Sequence, residues 1–152
     1  MKKLNRVKEI ILQERDLVKE LKTSYQNRRK EILLRILRGH GFGSLEKWES
    51  KPLLVNRSRK IVVKVGYRAE KEIYNAIPDC CVSTIFIEVN PDSYYRYILI
   101  QPFVEILSRQ DNTAFFEKVR REYDKNYIKN LYPDLHGFNV GRHNGKKVLV
   151  DW

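Results

Sequence analysis

The sequence predicts an α+β fold, and three observations carry that expectation. The first 38 residues keep an apolar rhythm of three, four and seven residues, the signature of amphipathic helix. From "PLLV" to "YYRYILIQPF" the texture changes to short β-branched runs separated by turn residues. The chain then closes on one more amphipathic stretch and a hairpin around "HNG".

Taken in order, residues 3 to 38 place Leu4, Val7, Ile11, Val18, Leu21, Tyr25 and Ile32 on one face, with charges between them. "KTSYQNRRK" interrupts the pattern, so two helices and one bent helix both fit. The helix stops at "GHGFGS", whose glycines free the backbone for a tight loop. "PLLV" and "KIVVKV" read as strands joined by the polar turn "NRSR". "YRAEKEIYNAI" returns to helical spacing and is ended by Pro78. "VSTIFIEV" and "YYRYILIQPF" are two further strands joined by "NPDS". Residues 113 to 131 form an amphipathic helix with Phe115, Val119 and Tyr123 at four-residue steps, and "NVGR" and "KKVLVDW" pair across an Asn-Gly turn.

A length of 152 residues with 42% hydrophobic content suits one compact domain with an appended segment. The net charge of +11 draws polyanions, whether nucleic acid, nucleotide phosphates or an acidic protein face. Cys80 and Cys81 are adjacent and leave no framework of spaced pairs, which fits a reducing cytoplasm. No apolar run reaches membrane-spanning length, and Glu9 interrupts the start before a secretory signal can form. Three histidines, His40, His136 and His143, offer no zinc-ligand spacing.

"DLHGFN" followed by "VLVDW" resembles the catalytic loop and metal-binding Asp of the protein-kinase-like superfamily, in the D-x-H-x-x-N form of aminoglycoside and other small-molecule phosphotransferases and of phage kinase-like proteins. The resemblance covers residues 39 to 152. It implies a kinase-like fold: an antiparallel N-lobe sheet with one short helix, then a minimal C-lobe of helix, catalytic loop and hairpin. Residues 1 to 38 stand outside it as a basic helical arm. By the same resemblance Asp134 matches the catalytic base, and Asn139 and Asp151 match the magnesium ligands. Phosphoryl transfer needs a carboxylate at the acceptor hydroxyl and oxygen ligands that hold magnesium against the β- and γ-phosphates of ATP.

Upstream, "IVVKV" is similar to the strand that carries the phosphate-binding lysine, which makes Lys64 the match. "AEKEIYNAI" supplies Glu70 and Glu72 as its partner, with Glu72 preferred because it stands one helical turn before Ala76. "GHGFGS" resembles the Gly-rich loop over the nucleotide phosphates, through Gly39, Gly41 and Gly43, although it is one residue short of G-x-G-x-x-G. "ILIQPFVEIL" looks like the last N-lobe strand entering the hinge, where backbone groups from Gln101 to Val104 would meet an adenine.

The sequence departs from the family in three places. "LYPD" stands where protein kinases carry His-Arg before the Asp. Trp152 replaces the Phe-Gly pair after Asp151, and the sequence stops there, with no activation segment or peptide-docking helices. The functional expectation is therefore an ATP- and magnesium-dependent phosphotransferase whose acceptor, a protein or a small molecule, is not specified. The alternatives are a catalytically impaired kinase-like protein that binds nucleotide or a partner protein, and a nucleic-acid-binding protein. The last would use Arg15, Lys19, Lys22, Arg28, Arg29, Lys30, Arg35 and Arg38 on phosphates, with Tyr94, Tyr95 and Tyr97 as stacking candidates. Small size and compressed loops resemble phage or effector kinases, which places the protein in a cytoplasm, a host's included.

Overall fold

Thirty-three of the first 37 positions lie in helices, but in three pieces rather than one or two. The computed structural model describes residues 1–24, 26–44, 53–93, 95–108, 112–125 and 140–150. Helix α1 (Lys2–Gln13) buries Leu4, Val7, Ile10 and Ile11 along one stripe. Glu14 leaves helical geometry at ψ 67° and its N–H bonds back to the Ile11 carbonyl, so the chain turns and α2 (Arg15–Thr23) begins. Ser24 ends α2 by donating its hydroxyl to the Glu20 carbonyl at 2.5 Å, before α3 (Gln26–Leu37) buries Ile32, Leu33, Ile36 and Leu37.

The chain divides into two compact units, residues 1–68 with 84–103 and residues 69–83 with 104–152. The helices expected as a separate arm share the first unit, and one hydrophobic core, with the sheet. That sheet holds β1 (Gly43–Ser44), β2 (Leu53–Asn56), β3 (Ile61–Gly66), β4 (Ile85–Glu88) and β5 (Tyr97–Pro102) in the order β1-β2-β3-β5-β4, all antiparallel. β3 is central and wholly buried, Lys64 included, and its β-branched residues Ile61, Val62, Val63 and Val65 suit that position. Leu54, Ile61, Val63, Val65, Ile85, Ile87, Ile98 and Ile100 join the helical residues in the core, so the apolar face of residues 4 to 32 is used within its own unit.

The second unit holds α4 from Ala69 onward (helix Arg68–Ala76), a 3-10 turn at Pro78–Cys80, β6 (Glu105–Ile106), α5 (Thr113–Lys125), β7 (Val140–His143) and β8 (Lys146–Leu149). Its sheet runs β6-β7-β8. The expected hairpin forms across Asn144 and Gly145, both at positive φ (51° and 76°), which is what an Asn-Gly reversal demands. Gly141 on β7 admits no side chain: a Cβ there would lie 2.6 Å from Val104 Cγ2 and 2.9 Å from the Glu105 carbonyl. The 3-10 turn is tied to β8 by the Val82 N–H, which donates to the Leu149 carbonyl at 2.8 Å.

The structure is thus mixed α+β, with an antiparallel sheet and several helices. None of the described helices is long and apolar enough to cross a membrane.

Candidate functional site

Strand alternation gives the five-stranded sheet two chemically different faces. Residues 61, 63 and 65 of β3 and 98 and 100 of β5 point to the helices, so residues 62 and 64, with 97, 99 and 101, line the opposite face. Register places Lys64 between Leu53 of β2 and Leu99 of β5, with Phe86 of β4 beyond Leu99. Lys64 is only 6% exposed, a position at which an ammonium group needs a charged or hydrogen-bonding partner. Two residues along, Gln101 is 2% exposed and its Nε2 donates to Thr84 Oγ1 at 3.0 Å. Tyr97 lies at the other end of this face, edge-on to Phe86 at 5.7 Å between centroids. Burial pushes the Tyr97 phenol up, with the Glu88 carboxylate adding to the shift and Arg96 opposing it.

Lys64 and Gln101 therefore share one face of one sheet, both buried. Val104, the end of the expected hinge, belongs to the second unit, where it is buried against Gly141. Of the two candidate glutamates on α4, the helix buries Glu70 (1% exposed) and leaves Glu72 half-buried. Glu70 falls on the stripe of Ile73 and Ile77, three and seven residues on, and that spacing is the signal in the sequence that favours it over Glu72.

The glycines of "GHGFGS" lie before and at the start of β1. Gly39 lies in a 3-10 turn at Arg38–His40, and Gly43 opens β1. Gly41 caps the turn in left-handed geometry (φ 87°), where a Cβ would meet Asn56 Nδ2 at 3.0 Å. Asn56, 1% exposed and not singled out from the sequence, organises this end of the sheet. Its Nδ2 donates to the His40 carbonyl at 2.9 Å, while its Oδ1 accepts from the Arg59 N–H at 2.9 Å and the Ser58 hydroxyl at 3.0 Å. A buried Asn just before "RSR" was the available clue, since Asn favours turns that its own side chain closes.

Asp134, Asn139, Asp151 and His136 lie outside the described residues, as does Tyr94. Among the described residues no group of three His, Cys, Asp or Glu side chains could hold a metal ion. Cys80 and Cys81 are free and buried, and desolvation raises both thiols above their usual range.

Two of the expected phosphate contacts are otherwise engaged. Arg29 is buried inside the first unit, donating Nε to the Leu21 carbonyl at 3.0 Å and Nη1 to the Tyr95 carbonyl. Desolvation lowers its pKa. Arg29 stands three, four and seven residues before Ile32, Leu33 and Ile36, on the apolar stripe, so it faces inward. Arg28 is paired with Glu20 at 2.5 Å and Glu31 at 2.9 Å. Of the stacking candidates, Tyr97 is buried and Tyr95 packs half-buried against the core and Tyr67, their ring centroids 4.8 Å apart. No family model, curated protein or solved structure matches this chain.

Proposed function

We propose that the chain is a kinase-like phosphotransferase that uses ATP and magnesium and acts on an alcohol group of a protein or small molecule. The observation that carries this reading is Lys64. A lysine kept from water in the middle of a five-stranded sheet is a cation held at a fixed position, where the negative charge of a ligand can be met. The chain also holds elements that the resemblance implies: an antiparallel sheet, one short helix between β3 and β4 in sequence, and a second unit with a helix and a tight hairpin.

In this reading Lys64 meets the α- and β-phosphates, and backbone groups from Gln101 to Val104 meet the adenine. Asn139 and Asp151 hold magnesium, and Asp134 takes the acceptor's proton. Glu72 is the expected partner of Lys64, although burial favours Glu70. When bound, magnesium-ATP supplies the phosphoryl group and the cation that offsets its developing charge.

Thermal melts of wild type, Lys64→Met and Asp151→Asn, each with and without magnesium and ATP, test the proposal. A ligand at about a hundred times its dissociation constant stabilises by about 2.7 kcal/mol, which is roughly 5–11 °C for a chain of this size. The expected result is a magnesium-dependent rise in wild type that both variants lose while keeping wild-type circular dichroism. Wild type melting at the same temperature with and without the nucleotide overturns the proposal. A rise without transfer of the γ-phosphate to any acceptor moves the reading to a nucleotide-binding protein that modulates a partner.

A further inference from the structure

The end of the sheet organised by Asn56 brings together cations from two segments distant in sequence. Arg35 and Arg38 come from the end of α3 and the turn after it, and Arg57, Arg59 and Lys60 from the turn between β2 and β3. The hydrogen bonds of Asn56 to the His40 carbonyl and to the Arg59 N–H fix the two turns side by side. All five cations are exposed, and none forms an ion pair among the described residues. No Asp or Glu occurs in residues 32–44, 53–68 or 93–103, the segments that build this end. Among the described residues these five cations have no carboxylate partner, unlike Arg28, Arg6 and Arg96, each of which has a Glu partner.

One aromatic ring belongs to the same platform. The Phe103 N–H donates to the Lys60 carbonyl at 2.7 Å, which docks the end of β5 on the basic turn, and the Phe103 side chain is 39% exposed. Phenylalanine at that exposure loses hydrophobic stabilisation that a buried ring would keep. A ring beside several unpaired cations matches the needs of one ligand class: bases stack on the ring while phosphates meet the cations. A lipid surface fits less well, because insertion requires a broad apolar face, and Phe103 is the exposed large apolar residue held to these turns.

We infer that Arg35, Arg38, Arg57, Arg59, Lys60 and Phe103 form a binding platform for single-stranded nucleic acid. The platform is distinct from the exposed cations of α1 and α2, and it does not depend on the nucleotide reading of Lys64. Its backbone is set by Asn56, so the cations are presented on a fixed frame.

The test is fluorescence anisotropy of the full chain with a labelled single-stranded oligonucleotide of about a dozen nucleotides, without ATP, from 50 to 200 mM salt. Five phosphate contacts give a slope of log affinity on log salt of about −3.5, a loss of about 100-fold over that range. The double variant Arg57→Ala with Arg59→Ala should make the slope shallower by about 1.4. Phe103→Ala should weaken binding by about 5- to 150-fold at constant salt, and Phe103→Leu, which keeps the bulk but not the ring, should weaken it similarly. Replacing Arg15, Lys19 and Lys22 together by Ala should leave the slope unchanged. Equal losses from that triple variant and from the Arg57/Arg59 pair overturn the platform in favour of diffuse charge. Full affinity in Phe103→Leu overturns the stacking role. Absence of oligonucleotide binding overturns the inference, as does tighter binding to phosphatidylserine vesicles.

Discussion

The two faces of the five-stranded sheet are buried to similar depth and built from different chemistry. Toward the helices lie Leu54, Ile61, Val63, Val65, Ile85, Ile87, Ile98 and Ile100, with Asn56, two residues from Leu54 on β2, as a buried polar residue at the end of that face. On the other face, Lys64, Gln101 and Thr84 are interleaved with Val62, Leu99, Phe86 and Tyr97. Low exposure alone would have assigned both faces to the core. What separates them is the register: a period of two sends every second residue of β3 and β5 to a face that keeps polar groups at a cost in desolvation.

The comparison is broken most severely from the aliphatic side. Ile100→Ala should cost about 2–5 kcal/mol, because its removal leaves a cavity inside a packed layer, and should lower Tm by roughly 4–20 °C. Thermal or urea unfolding measures it, and a loss below about 1 kcal/mol would mean that this face is not the core.

An intermediate effect comes from the polar face. Thr84→Val leaves the buried Gln101 amide without its acceptor and should cost about 1–3 kcal/mol. Adding Gln101→Leu should recover part of that loss, with a coupling of about 0.5–3 kcal/mol in the double-mutant cycle. Strict additivity would show that the 3.0 Å contact does not hold the pair together.

The smallest effect is a pH dependence confined to the same face. The Tyr97 phenol titrates higher in the folded chain than in the unfolded one, mainly because it is buried. The folded state therefore keeps its proton longer. The resulting stability is complete below about pH 10, and is lost as pH rises from there through the folded value, at no more than about 1.4 kcal/mol per pH unit. Unfolding curves between about pH 9 and 11.5 should be flatter for Tyr97→Phe than for wild type. Identical slopes would remove Tyr97 as the source.

Much of the fold was legible because local chemistry and global structure agree. The Asn-Gly hairpin, the turn at "NRSR", the β-branched run of β3 and the Phe115 and Val119 stripe of α5 each formed as their residue types required. The break between α1 and α2 was not legible, since Glu14 is neither Gly nor Pro and turns the chain through its ψ alone. The inward placement of Arg29 and Glu70 was in the helical spacing, but a charge on an apolar stripe reads as solvated until the packing is known. For the candidate site, the sequence singled out Lys64 and Gln101, and strand alternation brings them to one face. Asn56 went unnoticed because its effect is exerted through hydrogen bonds to backbone distant in sequence.

The first unit is discontinuous along the chain, and this bears on how it is made. β5 is the last of its five strands in sequence yet lies between β3 and β4. While residues 67–102 are being added, at about 5–20 per second, β3 emerges with one edge of hydrogen-bonding groups still unmatched. For those few seconds a nascent chain exposes the Ile61–Val65 segment, a short β-branched run prone to pair with other chains. Lys60 and Lys64, one just before that run and one within it, carry like charges from chain to chain and act as gatekeepers against such pairing until Tyr97–Pro102 closes the gap.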